Sequence, residues 1–407
     1  MEYKYIDLLL TKCIDINTSK ILFINYDKEV KEFVDKLSEE AKKRGIEEIY
    51  LDEIDIEERH EILKNNTLEE LKNNKYFDKS IWDTYAKRKA NFLILDTEQP
   101  HLMDDIDEEK ISFMSKQSRE SRPVYRKMVE HCELPWCIAA YPSIRWAKEV
   151  FPDSKNPYEE LLNAIYNICM INKERPTDEW DLQLKKNDKI IKYLNSLRLN
   201  KMHYKNSLGT DLVVYLPDNY SFESAKDNKV IVNMPSYEVY ASPIYNKTEG
   251  IVYSSMPLCY GGAVIEDLWL EFKEGKVVKY GSRTNENVLK NIIESDNQSS
   301  YLGEVALVEN NSPISNLNIV FGTTLIDENA SCHLALGSGF PECIEGGLEL
   351  NDEELLKKGI NVSSNHVDFM IGTPDLSIIG TTCDGREISI FKDGNFAKEL
   401  MEKCLGD

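Results

Sequence analysis

Apolar positions in the first 150 residues fall into short runs separated by longer stretches at helical spacing. Ile21-Leu22-Phe23-Ile24-Asn25-Tyr26 is a β-branched and aromatic run. Val30, Phe33, Val34, Leu37 and Ala41 then recur at helical spacing between Lys28 and Lys43, and Gly45 stops the pattern. Ile49-Tyr50-Leu51, Asn91 to Asp96 and Trp136 to Tyr141 predict three more strands, with helical patterns over Leu68 to Asn74 and Met114 to His131. Short, nearly continuous apolar strands alternating with helices predict a parallel sheet covered on both faces. A dinucleotide-binding turn would place glycines after the first strand, to bring backbone N–H groups onto a pyrophosphate. The residues there are Asp27-Lys28-Glu29, so the layered scaffold is expected without that motif.

Residues 151–205 are mainly helical in pattern, over Tyr158 to Ile171 and Trp180 to Leu197, with Pro176 as the break. From about Ser207 the texture becomes strand-like: Asp211 to Leu216, Val230 to Val232, Glu238 to Ala241, Gly250 to Ser254, Ala263 to Phe272, Lys276 to Tyr280, Leu317 to Val320 and Ile388 to Phe391. Glu274-Gly275 and Asp384-Gly385 are hairpin signals. Helical patterns remain around Thr284 to Ser295 and Glu353 to Lys358. The expected division is an α/β N-terminal domain over 1–205, with a helical linker from about 151, and a strand-rich C-terminal domain over 206–407.

Bulk charge narrows the partners. A formal net charge of −22 in 407 residues repels phosphate backbones, which disfavours nucleic acid and anionic membranes. The nine cysteines are scattered with no C-x-x-C pair, the usage expected of reduced, buried thiols. No apolar leader and no run of about 18 apolar residues occurs, so a cytoplasmic protein without membrane spans is the expectation.

Candidate chemistry concentrates late in the chain. His366-Val367-Asp368 would, on a strand, present an imidazole and a carboxylate on one face; a surface His–Asp pair is the plainer reading. Glu304 stands alone in the apolar run Leu302-Gly303-Glu304-Val305-Ala306-Leu307, where a carboxylate must be protonated, paired with Arg or Lys, or bound to metal. Glu238 follows Asn233-Met234-Pro235-Ser236-Tyr237 in a short segment framed by Pro235 and Pro243. His333 lies in an apolar segment, where a satisfied core histidine is the commoner case, and Asp327 and Glu328 precede it as possible acceptors for ligand N–H groups. Two histidines and three carboxylates together have the composition expected for two divalent ions sharing one carboxylate. Mixed N/O donors suit zinc, manganese or cobalt. No H-E-x-x-H occurs.

At these residues the chain resembles the aminopeptidase T and aminopeptidase S family of bacterial dinuclear metallo-aminopeptidases. The resemblance runs through Asn233-x-Pro235-Ser236-x-Glu238-Val239 and Leu302-Gly303-Glu304-Val305-Ala306-Leu307. It continues through Asp327-Glu328-Asn329-Ala330-x-x-His333-x-Ala335-Leu336-Gly337 and Asn361-x-Ser363-x-x-His366-Val367-Asp368-Phe369-Met370-Ile371-Gly372. It implies that Glu238, Glu304, His333, His366 and Asp368 are the ligands of two divalent ions, with Glu304 bridging. It also implies a strand-rich α+β metal-binding C-terminal domain, a homodimer enclosing its active site, and removal of N-terminal residues from peptides by a water held between the ions. Two positions depart from the family pattern. Tyr237-Glu238 replaces two adjacent glutamates, and Phe340 stands where a tyrosine is usual. Tyr237 and Glu238 are the candidate catalytic residues, with Tyr237 either supplying the missing phenol or packing against Phe340. The same departures admit an alternative, a catalytically impaired relative acting as a metal-binding or assembly protein.

Overall fold

The structure is a computed structural model that describes residues 1–97, 100–227 and 230–406. Its first layer is a parallel sheet built from β1 (Ile21–Asp27), β2 (Glu48–Ile54), β3 (Asn91–Asp96) and β4 (Trp136–Ala140). Apolar residues alternate between its two faces. Leu22, Ile24, Leu93 and Leu95 pack with the helix Lys31–Lys43 and the N-terminal helix, while Phe23 and Phe92 pack with Trp82, Tyr85 and Tyr125 on the other side. Burial on both faces is why these strands read as continuous apolar runs.

Below the resolution of the pattern, three details differ. The stretch Met114 to His131 is two helices, Glu108–Glu120 and Pro123–Glu130, because Pro123 sits at the first turn of the second. Ala263 to Phe272 is two strands, Ala263–Ile265 and Trp269–Lys273, separated by Asp267 at φ 53°. Leu317 to Val320 is not a strand. A 3-10 turn over Ser315–Leu317 ends at Asn318 in the left-handed region, and Val320 is half exposed.

The strand-rich part contains two antiparallel sheets. One has eight strands and carries both expected hairpins, Trp269–Lys273 with Lys276–Gly281 and Ser377–Thr382 with Glu387–Lys392. The other is formed by β5 (Glu223–Ser224), β7 (Val239–Ala241), β8 (Leu302–Leu307), β9 (His333–Gly337) and β10 (His366–Met370), in the order β10-β9-β8-β7-β5. Between them in sequence, β6 (Asn233–Met234) leaves this region and pairs in parallel with β4.

The halves therefore interlock. The first core takes Ile231, Met234, Tyr237, Phe321 and Ile326 from beyond residue 205. The helix Pro176–Ser196 serves both cores, burying Trp180 in the first and Ile190 and Leu194 in the second. Burying apolar side chains is worth about 25 cal/mol per Å², so the shared packing holds the parallel sheet's edge against the antiparallel sheet. The cavity described next lies at that junction.

Candidate metal centre

The register of the antiparallel sheet assembles the site. Tyr240 pairs with Ala306, Ala306 with His333, and His333 with Met370, so these four side chains share one face. Glu304 lies two residues from Ala306 on that face, opposite Ala335, which pairs with Asp368. His366 is two residues from Asp368 and pairs with Gly337. Alternation along strands thus turns residues far apart in sequence into one patch. Alanines at 306 and 335 leave room between the larger side chains.

Two donor sets result. Glu238, Glu304 and His333 offer ligand atoms within 4.8 Å of one another, as do Glu304, His366 and Asp368. His333 Nε2 lies 3.1 Å from Glu238 Oε2 and 3.9 Å from Glu304 Oε1. His366 Nε2 lies 3.1 Å from Glu304 Oε2 and 3.3 Å from Asp368 Oδ1. Glu304 thus turns one oxygen to each set.

Both imidazoles are held from behind. His333 Nδ1 is 2.8 Å from the Glu328 carbonyl, and His366 Nδ1 is 2.8 Å from the Ser338 carbonyl. A carbonyl can only accept, so each Nδ1 carries a proton, and it is Nε2 that faces the cluster, where a neutral ring would present its lone pair. This is the orientation that metal-ligating histidines require.

The charges also call for cations. Glu238, Glu304 and Glu328 are buried and Asp368 is partly buried around two imidazoles, and among the described residues no Lys or Arg pairs with them. Burial pushes the Glu304 carboxyl up to about 7, with the Asp368 charge adding to it. Burial pushes Glu328 well up, reinforced by Asp368 and Glu238. Burial alone would lower His333 and His366, but Glu238 beside the first and Asp368 beside the second raise both. Burial likewise opposes the Asp368 charge, yet His366 holds that carboxyl below its usual range. Asp368 Oδ1 is buried and accepts no hydrogen bond. A buried acceptor without a donor, two rings aimed by their backs and an excess of carboxylates fit divalent cation binding.

The turn Thr324–Asp327 and the following 3-10 turn Glu328–Ala330 brace this arrangement. Asp327 does not reach the histidines. Its carboxylate accepts from the backbone N–H groups of Phe321 and Gly322, at 2.9 and 2.8 Å, and staples that loop. Asn329 Oδ1 accepts from Tyr237 N at 2.7 Å and so fixes the chain beside Glu238. Glu328 offers its carbonyl to His333 and its carboxylate to Asn233 Nδ2, 3.0 Å away.

Of the candidate residues, Glu238, Glu304, His333, His366 and Asp368 come together. Tyr237 does not join them. Its hydroxyl donates to the Ile168 carbonyl at 2.6 Å and its ring packs 5.3 Å from Trp180, on the far side of the strand. Alternation makes this unavoidable once Glu238 faces the cluster.

The phenol on the cluster side is Tyr240, which the sequence reading passed over. Its ring packs 4.9 Å from Phe340, and Phe340 in turn lies 4.9 Å from the His366 ring. The Tyr240 hydroxyl is 3.2 Å from Glu342 Oε1. Within Val239-Tyr240-Ala241 it reads as one more apolar strand residue. Its one signal was its spacing of two from Glu238. All these groups line a single cavity of about 670 Å³ that extends to the edge of the parallel sheet.

Similarity to known proteins extends along the chain. The family model for thermophilic metalloprotease (M29) matches residues 2–396. Aminopeptidase AmpS of Bacillus subtilis is 32% identical over 403 residues, covering 97% of each chain. Aminopeptidase 2 of Geobacillus stearothermophilus is 32% identical over 406 residues, covering 98% of each. The solved structure of wild-type AmpT from Thermus thermophilus superposes with a TM-score of 0.84 at 26% identity, covering 97% of this chain and 99% of that one.

Proposed function

This chain belongs to the thermophilic metalloprotease (M29) family, and from that premise we propose that it is an aminopeptidase using two divalent ions to remove N-terminal residues from peptides. The observation that carries this reading is the pair of donor sets sharing Glu304. Glu238, Glu304 and His333 would hold one ion, and Glu304, His366 and Asp368 the other; zinc, cobalt and manganese all suit these donors. Divalent ions at such a site polarise a carbonyl oxygen and lower the pKa of water toward neutrality.

The chain's own residues supply the rest. Glu328, buried beside the cluster and outside both donor sets, is assigned the proton of the attacking water and its delivery to the leaving amine. Tyr240 is assigned the role of the phenol absent at Phe340. Its O–H···O contact with Glu342 is long at 3.2 Å, so it exchanges readily for a shorter bond to the oxyanion. The carboxylates that line this end of the cavity favour a free α-ammonium group, which accounts for selectivity at the N-terminus. Tyr240 is also the observation that favours an active enzyme over an impaired relative. A cytoplasmic homodimer, with the division near residue 205 separating scaffold from metal-binding part, completes the proposal.

The test is release of the first residue from leucine p-nitroanilide and from short peptides by protein loaded with zinc, cobalt or manganese. Free amines should be substrates and N-acetylated counterparts should not. Absence of release from all of them, with two ions bound per chain, would overturn the reading.

A further inference from the structure

Away from the metal-ligand cluster, the cavity wall carries cations alongside the acids Asp96 and Glu130. There the cavity is walled by the carboxyl edge of the parallel sheet, including Asn25 at the end of β1, Ile94 of β3 and Arg59 of the helix Ile56–Asn65. Strand order β2-β1-β3 reverses direction between β1 and β3, and ligands of open α/β sheets settle at that point. Arg59 and Arg122 each bury an Nε that has no hydrogen-bond partner. Arg122 stacks its guanidinium 4.3 Å from the Trp82 ring centroid. Lys79 completes the group. Burial pushes its ammonium down, and the adjacent Arg122 and Arg59 charges add to that despite Asp52.

One carboxylate faces these three cations. Asp52 lies 3.8 Å from Lys79 Nζ and is also engaged by Asn25 Nδ2 at 2.9 Å and Trp82 Nε1 at 3.0 Å. The other cavity arginines are committed. Arg126 pairs with Glu130 at 3.0 Å, and Arg119 donates to Asn365 Oδ1 at 2.9 Å, beside His366. Arg59 lines the cavity with its Nε buried and unpartnered, and among the described residues no carboxylate forms an ion pair with it. In a chain of net charge −22, an arginine on a cavity wall with no carboxylate paired to it, backed by Arg122 and Lys79 that share the one Asp52 charge, is suited to a bound carboxylate.

We infer that this sheet edge is the carboxylate-recognition end of the substrate cavity and that the substrates are short peptides with a free C-terminal carboxylate, which Arg59 binds. The inference rests on the aminopeptidase reading for the opposite end. A zwitterionic peptide lies with its ammonium among the acidic residues and its carboxylate at Arg59. The N-terminal layer thereby measures peptide length, and a cavity of about 670 Å³ shared by both ends suits oligopeptides and not long chains.

The experiment compares a leucine-led tripeptide with its C-terminal amide, using the full-length metal-loaded protein. The free acid should exceed the amide about tenfold in kcat/KM, through KM, as expected for one charge-assisted contact. In Arg59→Gln the acid-to-amide ratio should fall toward one, and Arg59→Lys should restore part of it. Equal cleavage of acid and amide by the unmodified protein would overturn the inference, as would an undiminished ratio in Arg59→Gln. Should neither peptide be hydrolysed, the aminopeptidase reading fails by itself. Calorimetric titration with the same two peptides then decides the carboxylate site, which requires the acid to bind about tenfold more tightly than the amide.

Discussion

Glu304 gives one carboxylate oxygen to each histidine, at 3.9 and 3.1 Å, so both donor sets depend on it. Glu304→Gln removes the charge while keeping the shape. We expect metal content, measured by elemental analysis, to fall from two ions to one or none per chain, and turnover to fall about a hundredfold or more. Two tyrosines separated by three positions make the complementary test. Tyr240→Phe should lower kcat about a hundredfold with little change in KM, the effect of losing one donor to an oxyanion. Tyr237→Phe removes a hydroxyl bonded to the Ile168 carbonyl, so steady-state kinetics should show kcat changed by less than about twofold while stability falls by about 1 kcal/mol. Equal kinetic effects of the two substitutions would contradict the assignment.

At the scale of elements, the site is a matter of strand register and of the loop that closes β9. Gly303 has no room for a side chain. A Cβ there would come within 2.1 Å of the Ser338 carbonyl oxygen and 2.5 Å of that of Gly337. The Ser338 carbonyl is the group that orients His366. Gly303→Ala should therefore destabilise the protein by about 3 kcal/mol in denaturant unfolding and weaken metal binding at the Glu304–His366–Asp368 set. The same elements show what sequence can convey. The run Asn91 to Asp96 is bounded by its own hydrophobicity and matches β3 residue for residue. Leu317 to Val320 is also mostly apolar, but Asn318 within it adopts the left-handed backbone, which ends any strand. His366 and Asp368 were legible as a pair because two residues on one strand always share a face. That Tyr240 and His333 flank Ala306 was not, since register between distant strands depends on tertiary packing. Arg59 escaped notice for a similar reason. It reads as one charge on a polar helix until the fold carries that helix to the cavity wall.

For the whole molecule, two interlocked cores hold an acidic cluster and Arg59 on the walls of one cavity. The acidic end costs stability when no cation is bound. Glu304 has a folded-state pKa of about 7, above the usual 4.3 or so for a free glutamate. A group raised in this way contributes stability fully below about pH 4.3 and loses it as pH rises through about 7. Both histidines, raised above about 6.5, lose theirs at still higher pH. Asp368, lowered, keeps its contribution across this range. The metal-free protein should therefore lose stability between pH 5 and 8 on account of this cluster. Ion binding, which releases these protons, should stabilise it increasingly over the same interval. Thermal unfolding of loaded and stripped protein at several pH values measures this, and a metal-dependent rise in Tm that shrinks with pH would contradict it.

The central claim is tested most directly by titrating metal-free protein with zinc, cobalt or manganese while following residue release from leucine p-nitroanilide. The account predicts activity that saturates at two ions per chain. Full activity at one ion, or none with two bound, would contradict it.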